Sequence, residues 1–191
     1  MVGVLLASLL LMSGCGHAVA PLSPALLRSQ ADAQLADAVQ GMKGDPSVKW
    51  PSGPAAAGTP IATYDWSAGG SGLWDSIGRL PAGYIVPVLV RDRVAGEFEM
   101  TGGGVLTVGA WPGSRSMQFL RAGALLRRSV VGKMDLRALD GAWPAVVARD
   151  ARGQDAVVFC RPNADANTWL GIKPFVVYRA PRAFQLMRQA Y

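Results

Sequence analysis

Few side chains in this 191-residue chain could carry nucleophilic or metal chemistry, and they are far apart. There is one histidine, His17, and there are two cysteines, Cys15 and Cys160. His17 is remote in sequence from every later candidate. That argues against Ser-His-Asp and Cys-His catalysis and against zinc sites, which draw on several His or Cys ligands. Cys160 ends the apolar run Val157-Val158-Phe159, where the ordinary role is a small buried hydrophobe. The neighbouring Arg161 is the one feature that would favour its thiolate. Two acidic groups, Asp92-Glu97-Glu99 and Asp150-Asp155, flank expected turns and read as solvated turn residues rather than as a metal site. Asp65-Trp66 and Trp74-Asp75 place aromatic rings beside carboxylates. A glycan site combines such groups, with the two acids dividing the acid and base roles. The competing reading makes Trp66 and Trp74 core anchors. Gly69-Gly70-Ser71-Gly72 and Gly102-Gly103-Gly104 lack the strand-before, helix-after context of a phosphate-binding loop and read as plain loops. No metal and no cofactor is expected.

The elements that would position these groups are mainly β. Runs at 61–66, 83–91, 96–101, 104–110, 144–149, 155–160 and 174–179 are short, rich in Val and aromatics, and bounded by Gly, Pro and Asp. Before them, Ser23-Pro24 reads as an N-cap followed by proline at the first helical position. Leu27, Ala31, Leu35, Ala38, Val39 and Met42 then share one helical stripe, closed by Gly41 and Gly44. This helix either docks on the domain or pairs with a partner. Residues 116–128 are ambiguous, residues 133–139 suit a helical turn or two, and 181–191 reads as a closing helix. Pro87–Asp92 is echoed by Pro144–Asp150, and each is readable as half of a β-hairpin. The expected fold is therefore a mainly β domain, a small barrel or sandwich, with an N-terminal helix and a short C-terminal helix; the alternative is α+β.

Composition narrows the classes further. Apolar residues make up 50% of the chain, enough for a core, so full disorder is excluded. Two cysteines exclude a disulfide scaffold, and a single short apolar run excludes a polytopic membrane protein. The net charge of +6 is uneven. Residues 111–191 hold 13 Lys and Arg against 5 Asp and Glu, whereas residues 1–110 hold 6 against 8. Arg121, Arg127 and Arg128 share part of one face of the 116–128 segment if it is helical, and form the candidate contact patch for an anionic partner. Scattered solvated charges are the plainer alternative.

Val2–Met12 is an apolar run of about 11 residues, the length of a signal-peptide core and too short to cross a bilayer. It runs into Leu11-Met12-Ser13-Gly14-Cys15, which resembles the lipobox of bacterial lipoproteins. Met12 stands where the family prefers Leu, and the leader carries no Lys or Arg. The resemblance covers these 15 residues and speaks to targeting alone. It implies removal of residues 1–14 and acylation of Cys15, and Gly16 implies sorting to the outer membrane, facing the periplasm. The organisation expected is a signal peptide (1–14), an anchor and N-terminal helix (15–43), a Pro/Gly-rich spacer (44–60) and a β-rich domain (61–191). The function expected is a lipid-anchored, non-enzymatic module that binds another envelope protein, within a secretion or conjugation apparatus, with no nucleic acid as a routine partner. The alternative is a peptidoglycan- or glycan-binding or cleaving module built on Asp65, Trp66, Trp74 and Asp75.

Overall fold

Ser23 and Pro24 start the first helix as their chemistry dictates. The Ser23 hydroxyl accepts from Leu26 N, and α1 runs Pro24–Gly44. The computed structural model describes residues 22–46, 49–67, 69–101, 104–109, 114–130, 132–161 and 171–191; Cys15 and His17 lie outside them. Nine strands follow among the described residues: β1 (Ala55–Ala57), β2 (Ile61–Tyr64), β3 (Gly83–Val90), β4 (Arg93–Thr101), β5 (Gly104–Gly109), β6 (Met134–Leu139), β7 (Ala145–Asp150), β8 (Asp155–Phe159) and β9 (Val177–Arg179). Helix α2 (Arg115–Ser129) stands between β5 and β6, and α3 (Arg182–Ala190) follows β9.

All nine strands form one sheet in the order β5-β4-β3-β2-β6-β7-β8-β9, with β1 pairing β3 in line with β2. The sheet consists of two antiparallel meanders joined by a single parallel contact, β2 to β6. Each meander is followed by a helix. The sequence echo falls on corresponding strands, β3–β4 in one meander and β7–β8 in the other. The β3–β4 hairpin turns through Arg91 and Asp92, both at positive φ (51° and 61°), as a two-residue loop matched to strand twist requires. The β7–β8 turn is held by Asp150, whose Oδ1 accepts from Arg152 N and Gln154 N.

The mainly β composition with helices at both ends is as expected, but the barrel or sandwich is not. β5 and β9 end an open sheet. The reason lies in the strands: β3, β7 and β8 are apolar on both sides, so both faces need cover. Helix α2 covers one face, packing Phe119, Ala122 and Leu126 on Ile85, Val146 and Val158. The opposite face has two caps. α1 lays Leu27 and Ala31 against Val86, Val88 and Phe98. At the other end α3 and the segment after β2 bury Leu186, Met187, Leu73 and Ile77 on Val147, Val157 and Phe159.

Two other expectations are revised and one ambiguity is resolved. The 133–139 segment is strand β6, not helix: Met134, Leu136 and Ala138 face α2 while Asp135 and Arg137 alternate with them, a period of two. The stretch 44–60 is not a free spacer, because Ala55–Ala57 pair with Val88–Val90 and Trp50 packs with the α1 cluster. The ambiguous 116–128 segment is helix despite Gly123. A Cβ at Gly123 would meet only Leu136 Cδ1, at 3.6 Å. Gly123→Ala is therefore expected to stabilise the fold by about 1 kcal/mol through helix propensity, read as a higher denaturant midpoint with an unchanged slope.

Candidate functional site

Two ionic centres, one on each face of the sheet, organise the charged groups. The first sits where α2 begins. Ser114 caps the helix, its Oγ accepting from Met117 N. Glu97, on β4 and 4% exposed, receives Ser116 N at 2.8 Å and Arg115 N at 3.3 Å. A carboxylate here offsets the positive end of the helix dipole and satisfies N–H groups that have no partner within the helix. Arg115 also donates from Nε to Glu97, from Nη2 to Glu99 at 2.9 Å and from Nη1 to Asp140. Three carboxylates thus share one guanidinium. Glu97 and Glu99 are not the solvated turn residues expected; they point from mid-strand to the α2 face. Sequence spacing gave no sign of this, since the partners lie on β4, α2 and the end of β6.

Asp140 is held above the ordinary aspartate range. Burial of its carboxyl is the leading cause, Glu99 and Glu97 add to it, and Arg115 opposes without reversing it. Asp140 therefore binds its proton more tightly in the folded chain than in the unfolded one. Its contribution to stability is full in acid and is lost as pH rises from about 4 through the raised value. Asp140→Asn is expected to remove that loss. Unfolding free energies measured across this window should show the wild type falling relative to the variant, whereas a constant offset would contradict the assignment.

The second centre pins the segment after β2 to the opposite face. Arg149 makes a bidentate pair with Asp155 at 2.7 and 3.0 Å, and Nη1 reaches Asp75 at 3.6 Å. Asp155 Oδ2 also accepts from Trp74 N, and Ser71 Oγ donates to Asp75. The Trp74 ring lies under two guanidinium groups, Arg137 at 4.3 Å and Arg149 at 5.6 Å from its centroid. Trp66 bridges Ile77 and packs between Phe184 and Tyr191, ring centroids 6.2 and 6.1 Å away. Asp65 is exposed and, with Glu99 and Asp140, lines a cavity of about 180 Å³ beside Thr63 and Tyr84. The four candidate glycan residues are thus near in sequence but divided in role. Asp75 and Trp74 serve the Arg149 centre, Trp66 serves the α3 core, and Asp65 joins different acids.

Cys160 is fully buried in the α2 core, and burial pushes its thiol up to about 12, with Asp140 adding to the effect. Arg161 does not offset this. Cys160 is expected to resist iodoacetamide in the native state and to react on denaturation, as peptide mass mapping would show; native labelling would refute the assignment.

Arg121, Arg127 and Arg128 are all exposed on α2, with Arg127 at the helix flank that borders the sheet. The guanidinium of Arg121 is 4.0 Å from the Phe175 ring centroid. Met117 and Leu120 on the same helix are 40% and 49% exposed, Leu120 at the flank that borders the sheet. Beyond the helix end, Arg179 Nη2 donates to Ser129 O at 2.6 Å, capping the last turn. Among the described residues, no carboxylate forms an ion pair with Arg121, Arg127 or Arg128. Also among the described residues, no group of three or more His, Cys, Asp or Glu is placed to hold a metal ion, and no helix is long and apolar enough to cross a membrane. Comparison with protein families, curated proteins and solved structures found no match to this chain.

Proposed function

We propose that the chain is an envelope lipoprotein, anchored through Cys15, that works as a non-enzymatic assembly module for another envelope protein. The observation that carries this reading is the division of the two sheet faces. Leu22, the first described residue, donates to Tyr84 Oη on the face covered by α1. The basic face of α2, with Arg121, Arg127 and Arg128, is on the other side. A chain tethered at its N-terminus would hold α1 toward the membrane and present α2 outward. Tethering raises the local concentration of that face at the membrane and needs no turnover chemistry. The same proposal includes an outer-membrane position facing the periplasm and a place in a secretion or conjugation apparatus. The glycan reading has less support, because Asp75 and Trp74 are engaged by Arg149 and Arg137.

Intact-mass analysis of protein extracted from membranes is expected to show loss of residues 1–14 and a diacylglycerol-modified Cys15. Cys15→Ser should move the protein out of the membrane fraction. Reversing Arg121, Arg127 and Arg128 to Glu should leave anchoring intact and weaken crosslinking to the partner by about tenfold or more. A retained leader with a free thiol would overturn the anchoring, and unchanged crosslinking would overturn the contact face.

A further inference from the structure

The middle of the sheet is not filled. Parallel pairing of β2 with β6 is confined to Thr63↔Ala138 and Tyr64↔Leu139, so the strands fork ahead of these residues. Helix α2 crosses the fork with Phe119, Leu120 and Gly123, leaving a cavity of about 280 Å³. Ala138 and Val146, on its floor, keep 5% and 4% exposure. Ile61 and Leu136, one on each central strand, are only half-buried, although central strands under a helix are the best-covered part of such a fold. Gly123 lines the space, and a Cβ there would stand 3.6 Å from Leu136 Cδ1. The walls are aliphatic apart from Phe119, Tyr64 and the hydroxyl-bearing Thr59, and the one charged lining group is Arg127, which has no ion pair among the described residues.

An apolar slot with a single cation is complementary to a molecule with a greasy tail and one negative head. The volume is at the small end of ligand pockets, roughly 300 Å³, which suits one flexible chain and not a folded peptide. We propose that this cavity binds a single-chain anionic amphiphile of the fatty-carboxylate class, its tail against Ile61, Phe119 and Leu136 and its carboxylate on Arg127. Tail burial supplies the drive, and the guanidinium–carboxylate pair supplies selectivity over neutral chains. The proposal does not rest on the anchoring at Cys15.

The test uses residues 15–191, produced without the leader and carrying Cys15→Ser, so that neither detergent nor the apolar leader competes. Dodecanoate, kept below its micelle concentration, is titrated by calorimetry with dodecanol as the neutral control. Saturable binding of one dodecanoate per chain is expected, with dodecanol weaker by about tenfold or more. Gly123→Leu, which fills the slot while leaving Arg127 in place, should abolish binding with a native circular dichroism spectrum. Gly123→Ala, the milder filling, should weaken it, and Arg127→Ala should erase the preference for the carboxylate. Absence of saturable binding overturns the proposal, as it would if the slot instead receives an apolar side chain from a protein partner. Binding that survives both substitutions at Gly123, or that is equal for dodecanol and dodecanoate, overturns it as well.

Discussion

The carboxylate of Glu97 is the tie on which the architecture depends. It belongs to β4, in the first meander, and accepts from the first N–H groups of α2, the helix that carries the chain to the second. The sheet itself offers little to hold the meanders together, since β2 and β6 share two residue pairs. The helix makes up the difference by packing on Ile85 from one meander and on Val146 and Val158 from the other. If Glu97 did not fix where α2 begins, that packing would have no register. Arg115 completes the tie by bringing Asp140, at the end of β6, to the same point as Glu97 and Glu99. Removing Arg115 would leave Glu97, Glu99 and Asp140 crowded together without a counter-charge, which costs more than the loss of an isolated surface pair.

The opposite face is secured by the same logic with different chemistry. There the Arg149–Asp155 pair spans neighbouring strands β7 and β8, and Trp74 is clamped between the pair and Arg137. A long segment without regular structure is thereby fixed on the sheet, and Trp66 can fill the gap between the sheet and α3. Both centres use arginine, whose planar guanidinium can bond carboxylates at its edge and stack on rings with its face. The abundance of arginine in the second half of the chain is thus in part structural.

What could be read from the sequence was what local rules decide. Ser23 and Pro24 marked the start of α1, and the Val-rich runs of β3, β7 and β8 were recognisable from branched residues bounded by turns. Segments decided by distant partners were not legible. Ala55–Ala57 has no strand preference of its own and becomes β1 through pairing with β3. Met134–Leu139 is built of good helix formers, and only the alternation of Met134, Leu136 and Ala138 with Asp135 and Arg137 reveals a strand. The acids show the same limit. Spacing grouped Asp92 with Glu97 and Glu99, and Asp65 with Asp75, but charge partners are chosen in space. Arg115, Asp140 and Arg149, the residues that define both centres, carried no local signature.

The narrowness of the parallel seam also governs how the chain can reach its final form. Residues 63 and 138 meet there after everything between them has been placed, whereas each hairpin closes over a few residues. Ordering so long a loop is entropically the costliest closure in the sheet, so the meanders take shape first and the seam joins last. For a chain threaded across a membrane from its N-terminus, the first meander would emerge with its inner edge at β2 bare until β6 followed. Such an exposed edge is the place where a chaperone would have to stand guard.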